Sequence, residues 1–565
     1  MFKKLYYLIP INVLVMSGCS MHQLTEGGIP ITGTITYDRV PADISYGGIA
    51  KLDYTQTRKL PSKYVVVKAI DKDGKAIAET VTDKNGRYTL HVPSDEEIKI
   101  RVYARMYMKD LWDVSVVDNT NNKALYVMEG AYHTSASDPN LRNLNAASGW
   151  TGSDYKGIRT AAPFAILDSI AQAMDKVREA DPQAVFPQLT VNWSPQNIAA
   201  PGDLNMGQII TSHYDGNRQL WILGDANSDT DEYDDHIIVH EWGHYFEDQF
   251  SRSDSIGGPH SPGDALDIRL AFGEGWGNAL SGIATDDPIY FDTSGMGQSY
   301  GWYMNLESGA QQNPGWYSEG SVQRILYDLY DKTNESHDKT GLGFKPIYNA
   351  MIHGEKNTPA FTSLFSFINE LKNDNGSQAS NIDKTVAYEK INTIKDSYGS
   401  NRTNTANSNY SIPIYRDLSV GGTVSICNGN NFGVYNKLGN RSFVKVKINN
   451  PGTYEFNAYP TSTYSSAQDP DILIYETTGE HQNIGISEFE GSSSDKLTIT
   501  LNPGEYLLDV YDATFGNSCY ALSMKSSGAV FGKADSNGTA VQMEGGGMQV
   551  IETGTKRDIP ERHYY

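Results

Sequence analysis

The chain is poor in cysteine, in positive charge and in long apolar runs. Among 565 residues there are only 3 cysteines, too few for a redox or cysteine–zinc site. The 46 basic residues are outnumbered by 68 acidic ones, and the net charge of −22 excludes nucleic acid as a partner. The N-terminal apolar run from Leu5 to Met16 is 12 residues long, which is too short to cross a bilayer.

That apolar run follows two lysines and precedes small residues and a cysteine, in "MFKKLYYLIPINVLVMSGCS". This order predicts an export signal over residues 1–18. The ending "MSGC" resembles a bacterial lipobox, which implies cleavage before Cys19 and acylation of its thiol. The resemblance implies a lipid anchor and a cell-envelope protein, at the outer membrane or secreted. An ordinary secretory signal is the alternative.

The other two cysteines, Cys427 and Cys519, lie far downstream in one strand-rich region. An exported chain with two such cysteines is expected to join them. The disulfide would then cross-link the C-terminal domain.

The chain is long enough for several domains. Residues 29–108 alternate apolar and polar positions and break at Asp73-Gly74 and Asn85-Gly86, which predicts a small β-sandwich. The segment "TDKNGRYTLHVP" resembles carboxypeptidase regulatory-like, transthyretin-type domains. Such domains are spacers, so we expect no chemistry there.

Residues 125–400 change to a mixed α/β pattern. Three helices are predicted, in "APFAILDSIAQAMDKVREA", "SVQRILYDLYDK" and "TPAFTSLFSFINELK", the last capped by Thr358 with Pro359 in its first turn. Short strands are predicted in "PQLTVNW" and "RQLWILG", and the second of these is expected at an open sheet edge.

A polar linker around residues 400–412 separates this region from short, regularly spaced strands. Residues 413–526 are therefore expected to form a second β-sandwich. The pieces "DPDILIY" and "LNPGEYLLDVYD" resemble the bacterial pre-peptidase C-terminal domain, an accessory module that is often calcium-loaded. The tail, 527–565, supports no prediction.

The segment "DDHIIVHEWGHYFED" places His240 and His244 on one helical face, where both imidazoles can bind a single ion. Glu241 is turned by about 100° around the helix axis, so it reaches a water molecule on the metal, as a general base would. His236 lies about 12 Å from His244 along the axis and cannot share that ion, so it is expected near the ligands or at the surface.

A third ligand must come from elsewhere in the chain. His260 is available in the loop-like "SDSIGGPHSPGD", but the stronger candidate is Glu274 in "AFGEGWGNALSGIA", 30 residues after His244. Asn278 would lie on the same helical face as Glu274 and could accept a hydrogen bond from a ligand histidine.

The pair "HEWGH" and "GEGWGN" resembles the gluzincin metallopeptidases, in particular the thermolysin-like and fungalysin-like families. The resemblance implies Zn²⁺ bound by His240, His244 and Glu274, with Glu241 as catalytic base. It departs from the family pattern at Asn278, where aspartate is usual.

The oxyanion of peptide hydrolysis needs a hydrogen-bond donor. In fungalysin-like chains a histidine precedes a helix similar to "GWYSEGSVQRILYDLYD", and Tyr317 stands in that place here. Tyr317 is therefore a catalytic candidate, and packing at a helix start is the alternative. His337 and His353 are weaker candidates.

Calcium is a second candidate ion. Acidic and amide side chains alternate in "DANSDTDEYDD", but the sixth-position glycine and the closing glutamate of a calcium loop are missing, and helix capping is the alternative. The positions concerned are Asp225, Asn227, Asp229 and Asp231. In the C-terminal sandwich, Asp469 and Asp471 are candidates by family resemblance alone.

Together these features predict a multidomain chain with an N-terminal β-sandwich, a central α+β zincin metallopeptidase domain and a C-terminal β-sandwich. The expected function is zinc-dependent endopeptidase hydrolysis of extracellular proteins by a monomer. Two alternatives stay open: an aminopeptidase using the same site, and a surface adhesin or glycan-binding lipoprotein.

Overall fold

The structure is a computed structural model that describes residues 28–136, 140–308, 312–332, 338–407, 410–461, 468–479, 481–488 and 494–526, with two pairs, 533–534 and 540–541. The expected signal, the lipidation candidate Cys19, the histidine candidate His337 and nearly all of the tail lie outside the described residues. Within the described part, no helix has the length and apolar character needed to cross a membrane.

The N-terminal part is built of strands. They are β1 (Ile29–Arg39), β2 (Ala42–Tyr46), β3 (Ile49–Leu52), β4 (Arg58–Pro61), β5 (Val65–Ile70), β6 (Ala76–Val81), β7 (Arg87–Val92), β8 (Glu97–Met108), β9 (Trp112–Asp118), β10 (Ala124–Leu125), β11 (Val127–Glu129), β12 (His133–Thr134) and β13 (Leu144–Ala146). One sheet contains β13, β1, β4 and β7, while β5, β6, β8 and β9 belong to a larger sheet.

The central part combines helices with short strands. Its helices are α1 (Ala162–Ala180), α2 (Asp235–Phe250), α3 (Ile268–Thr285), α4 (Glu319–Tyr330), α5 (Phe344–Asn349), α6 (Leu364–Asp374) and α7 (Ala379–Tyr388). Its strands are β14 (Leu189–Trp193), β15 (His213–Tyr214), β16 (Gln219–Ile222), β17 (Gly224–Asp225), β18 (Asp229–Thr230), β19 (Ile289–Ser294) and β20 (Tyr300–Asn305).

The larger sheet crosses the boundary that the sequence predicts between residues 108 and 125. Its order is β15-β16-β14-β9-β8-β5-β6, and β14 pairs in parallel with β9. Val116 of β9 and Val191 of β14, which are partners in the register, are both fully buried. The N-terminal sandwich thus shares a sheet and an apolar core with the central region, because each exposes a strand edge that the other covers.

Two local expectations are wrong. The strand in "RQLWILG" is β16, which lies between β14 and β15, so the sheet ends at β15. The helix expected from Thr358 begins instead at Leu364, because the side chains of Ser363 and Ser366 form a reciprocal cap there.

The C-terminal part is a second two-sheet arrangement. Its strands are β21 (Thr403–Asn407), β22 (Tyr410–Pro413), β23 (Tyr415–Leu418), β24 (Thr423–Asn428), β25 (Arg441–Ile448), β26 (Gly452–Pro460), β27 (Pro470–Glu476), β28 (Asn483–Ser487), β29 (Asp495–Leu501), β30 (Gly504–Asp512) and β31 (Ser518–Ser526), followed by the pair β32 (Lys533–Ala534) and β33 (Ala540–Val541). One sheet runs β23-β25-β30-β27-β28 and the other β24-β31-β26-β29.

This C-terminal sandwich encloses an apolar core of its own. Cys427 in β24 and Cys519 in β31 are direct partners in the register, with Cα atoms 4.1 Å apart, and the structure joins them by the expected disulfide. The disulfide therefore joins two neighbouring strands of one sheet.

Candidate metal centre

Helix α2 holds the first two candidate ligands. Its inward face is apolar, with Ile238, Trp242 and Phe246 fully buried against the core. His240 and His244 lie one turn apart on the face toward α3, and both side chains are buried. The helix therefore presents two imidazoles to its neighbour, as their spacing requires.

The third candidate ligand comes from α3. Glu274 Oε2 lies 3.2 Å from Nε2 of His240 and 3.7 Å from Nε2 of His244. The two Nε2 atoms are 3.1 Å apart, and all three candidate ligand atoms fall within 4.8 Å of one another. The predicted ligands therefore converge on one point.

Glycines allow the two helices to approach this closely. A Cβ atom at Gly277 would stand 2.9 Å from Nδ1 of His240, and one at Gly243 would stand 3.1 Å from the Cα of Gly277. Trp276 then ties the helices together by donating from Nε1 to the carbonyl of Gly243 at 3.1 Å. Glycine weakens an isolated helix, but Gly243 in α2 and Gly277 in α3 are needed where the two helices cross.

Each ligand histidine has a partner behind it. Nδ1 of His240 lies 2.8 Å from Oδ1 of Asn278, whose amide donates in turn to Gln323 Oε1 at 2.9 Å. Asn278 is therefore placed to fix the tautomer of His240. On the other side, the buried carboxylate of Glu247 lies 4.0 Å from Nδ1 of His244, a neighbour that the sequence analysis did not identify.

The candidate base Glu241 is half-buried beside the ligands. Its Oε2 accepts a hydrogen bond of 2.9 Å from the backbone amide of Tyr214 in β15. Burial raises the pKa of Glu241, while the neighbouring His240 and His244 oppose the rise. A carboxylate with a raised pKa is suited to accepting a proton near neutral pH.

A third histidine lies next to the centre. Nε2 of His260 is 3.3 Å from Oε2 of Glu274 and 3.5 Å from Oε2 of Glu319 at the start of α4. Its side chain is 18% exposed, so it faces both the ligands and the solvent. From the sequence, Glu274 is the stronger candidate for the third ligand and His260 the weaker one. The structure places both at the centre, with His260 outside the group of converging atoms.

Glu274 and His260 shift each other's pKa in opposite directions. For Glu274, burial alone would raise the pKa, but His260 and His244 outweigh it and hold the pKa well below its usual range. For His260, burial is likewise outweighed by Glu274, which raises the pKa of the imidazole to about 10. Glu274 is therefore an anionic ligand candidate with a cationic neighbour.

The other predicted candidates lie elsewhere. Tyr317 is half-buried, packs edge-on against Trp316 at 5.0 Å and accepts a hydrogen bond of 2.8 Å at its carbonyl from Leu266. None of its contacts that the structure describes links its hydroxyl to the converging ligands. His353 is exposed in a π-helical turn, Ala350–Glu355.

His236 is neither a neighbour of the ligand atoms nor solvent-facing. Its side chain is buried, and Nε2 lies 3.0 Å from the carbonyl oxygen of Asp287 beyond the end of α3. The expectation of a surface position is wrong because β19 covers this face of α2, with the rings of Tyr290 and Phe291 against the imidazole.

A second group of carboxylates lies at the hairpin before α2. Asp229 and Asp231 converge with Asp292 of β19, which the sequence analysis did not identify. Burial raises all three pKa values, to about 6 for Asp229, to about 7 for Asp292 and well above the usual range for Asp231. Asp225 does not belong to this converging group. Calcium binding here stays a prediction.

In the C-terminal sandwich, both calcium candidates are buried. Burial raises the pKa of Asp471 to about 8. Calcium at Asp469 and Asp471 also stays a prediction.

The donor set of the main centre fits zinc. Its two imidazole nitrogens and one carboxylate oxygen are buried and converge. This is the donor set that catalytic zinc sites use. A divalent cation at this point would balance the buried carboxylate of Glu274. The residues that would hold the metal are thus His240, His244 and Glu274.

Comparison with known proteins relates this region to a protease. Residues 178–390 match the family model of the Mycolysin C-terminal domain. The matched segment includes α2, α3 and α4 and is less than half of the chain. The central region is therefore protease-related. No curated protein matches the chain.

Several solved structures show weak similarity. The pre-peptidase C-terminal domain of a collagenase from Bacillus anthracis is 11% identical, with a TM-score of 0.17, over 20% of this chain and 94% of that one. The surface-associated copper-binding protein CorA of Methylomicrobium album BG8 is 7% identical, with a TM-score of 0.15, over 20% and 98%. The mitogen derived from Yersinia pseudotuberculosis is 15% identical, with a TM-score of 0.12, over 21% and 85%. Scores this low support no conclusion.

Proposed function

We propose that the protein is a zinc-dependent endopeptidase. The observation that supports this most strongly is the convergence of His240, His244 and Glu274 beside the carboxylate of Glu241. The match to a protease-related family over the same residues agrees with it.

Bound at this centre, zinc would polarise the peptide carbonyl and acidify a water molecule. Glu241 would take a proton from that water and pass it to the departing amine. Burial raises the pKa of Glu241, which makes its carboxylate a better proton acceptor. Asn278 holds His240 in the tautomer that leaves Nε2 free for the metal.

His260 is better placed than Tyr317 to donate a hydrogen bond to the oxyanion. Its Nε2 lies 3.3 Å from the ligand oxygen of Glu274, and its side chain is partly open to solvent on that side of the centre. A hydrogen-bond donor beside the reacting carbonyl stabilises the developing negative charge. The Tyr317 assignment is therefore replaced by His260 in this proposal.

The decisive test is Glu241→Gln, which keeps the shape of the side chain and removes the base. We expect zinc content to stay unchanged and casein cleavage to fall by about 10²–10⁴-fold. Glu274→Ala should lose zinc and activity together. His236→Gln, a buried histidine one turn earlier on the same helix, is the matched control and should retain both.

Two outcomes would contradict the proposal. Full cleavage by Glu241→Gln would exclude the glutamate-base mechanism. Equal zinc content in the wild type and Glu274→Ala would exclude the ligand assignment. Peptides with acetylated and free amino termini separate the remaining alternatives, since an aminopeptidase would cleave only the free ones.

A further inference from the structure

The segment between α2 and α3, residues 251–267, contains no regular helix or strand. It nevertheless places His260 next to Glu274 and Glu319. An irregular segment cannot satisfy its own backbone groups as a helix does, so its position depends on partners from outside. The partners of this segment therefore decide where the imidazole of His260 lies.

Several of those partners come from the C-terminal sandwich, more than 170 residues downstream. The loop between β24 and β25 reaches back to the metal centre and presents Asn436, which is 1% exposed. The side-chain amide of Asn436 donates to the carbonyls of Gly257 at 3.0 Å and Pro259 at 3.1 Å. Both hydrogen bonds lie within three residues of His260.

The backbone of the same loop continues the contact. The amide of Asp267 donates to the carbonyl of Asn436 at 2.9 Å, and the amide of Leu438 donates to the carbonyl of Ala265 at 2.9 Å. Lys437 adds a hydrogen bond of 2.8 Å from Nζ to the carbonyl of Pro259. The loop thus binds the segment on both sides of His260.

Close packing between Gly258 and the ring of Tyr435 adds to these hydrogen bonds. Gly258 has φ of +93°, a conformation that side chains other than glycine rarely adopt, and a Cβ there would stand 2.4 Å from the ring of Tyr435. The ring of Tyr435 therefore lies flush against the backbone two residues before His260. The turn and the aromatic ring fix the direction in which the chain leaves toward the histidine.

We propose that Asn436 of the C-terminal sandwich is a positioning residue for His260, so that the sandwich completes the active centre instead of acting as a separable module. The proposal rests on the proposed function, in which His260 donates to the oxyanion. Without the amide of Asn436, the carbonyls of Gly257 and Pro259 turn to solvent and the imidazole shifts. A displacement of about 1 Å can lower a rate by about 100-fold.

A double-mutant cycle tests this coupling. Asn436→Leu removes the two donors at nearly constant volume, and we expect kcat to fall about 10–100-fold with KM and zinc content unchanged. In the His260→Ala background the same substitution should lower kcat no further. The loss in thermal stability should be the same in both backgrounds, because it does not pass through His260.

Asn428→Leu is the matched control. Asn428 is also 1% exposed and donates to the carbonyl of Val510 at 3.2 Å, entirely within the sandwich. It should lower Tm without changing kcat. Should Asn436→Leu fail to fold, Lys437→Met removes the Nζ contact to Pro259 from a more exposed position and is expected to show the same dependence on His260.

A second readout does not depend on activity. Acylation by diethyl pyrocarbonate, followed by peptide mass spectrometry, should modify His260 several-fold faster in Asn436→Leu than in the wild type, with the exposed His353 as internal reference. An unchanged His260 rate, or an equal fall in kcat with and without His260, would overturn the proposal. If casein cleavage does not depend on Glu241, the proposed function fails instead, and the acylation experiment still tests the position of His260.

Discussion

The two β-rich regions attach in different ways to α2 and α3, the helices of the candidate metal centre. The N-terminal region is joined through backbone: β9 pairs with β14, and both regions share one apolar core. The C-terminal sandwich has a second core of its own. It docks through side chains, among them Tyr415 and Phe443, which pack into the shared core, and through backbone hydrogen bonds of the loop between β24 and β25. Arg269 in the first turn of α3 donates to Asp509 of β30 at 3.0 Å, and the ring of Phe361 lies between Arg269 and Tyr475.

The two kinds of attachment predict different unfolding behaviour for the two β-rich regions. Strands of one sheet share a ladder and a core, so the N-terminal region and the metal helices are expected to unfold together. A docked module with a separate core can be loosened by single substitutions at its interface. The C-terminal sandwich nevertheless contacts the segment with His260, so we expect its docking and the proposed active centre to be linked.

The largest effect is expected from Val116→Asp in β9. Val116 is fully buried opposite Val191, and an unpaired carboxylate there should cost about 5 kcal/mol. Urea unfolding should show the N-terminal sheet and the zinc site lost in one transition. Ser115→Asp, on the half-buried opposite face, is the control and should change stability by less than about 1 kcal/mol. If zinc stays bound after the N-terminal sheet has unfolded, the N-terminal region and the central region are separate folding units.

Removal of the disulfide should lower the stability of the C-terminal sandwich first. Cys427 and Cys519 are separated by 92 residues, so the double serine variant should lose about 4 kcal/mol. Calorimetry should resolve an early transition of the sandwich, followed by that of the remaining molecule. A single transition, shifted as a whole, would mean that the sandwich does not unfold independently.

Arg269→Met tests the docking itself. The guanidinium is 1% exposed and also binds Asp267, so its removal leaves buried carboxylates and should cost about 3 kcal/mol. Unfolding should separate into two transitions. Arg105→Met breaks a half-exposed ion pair with Asp113 in the N-terminal sheet, and less than about 1 kcal/mol is expected there. If Arg269→Met and Arg105→Met lowered the free energy of unfolding equally, burial of the ion pair at the interface would not matter.

The smallest effect is a pH dependence at the same interface. His481 is buried against Phe361, and burial lowers its pKa to about 4. Because the unfolded histidine has its usual pKa near 6.5, stability is complete above that pH and is lost as pH falls toward 4, by about 2 kcal/mol at pH 5. His481→Gln should remove this slope between pH 7 and 5, whereas His353→Gln at the exposed turn should not. An unchanged slope in His481→Gln would place the acid-sensitive group elsewhere.

The candidate metal centre could be predicted from the sequence to the extent that it depends on helical spacing. His240, Glu241 and His244 need only one helix, and Glu274 with Asn278 needs only a second one. Helix α1 and the pairing of Cys427 with Cys519 were predictable for similar reasons, a clear periodicity and a short inventory of thiols.

Features that depend on contacts between residues far apart in the sequence could not be predicted. His260 lies in a segment without periodicity, so no pattern relates it to Glu274 or to Asn436. The helix start at Leu364 was misplaced because Thr358 and Pro359 satisfy the same local rules that Ser363 satisfies in the folded chain. Asp292 joins Asp229 through strand pairing, which the sequence analysis did not consider.

The sequence by itself determined the identity of the donor atoms and their order along two helices, because helical geometry is local and repeats every few residues. The tertiary structure alone decided that the edge strand is β15, that one sheet joins two predicted domains, and that Asn436 lies beside the segment with His260. These contacts join residues far apart in the chain, and their free energy depends on shape and burial that no short sequence pattern encodes.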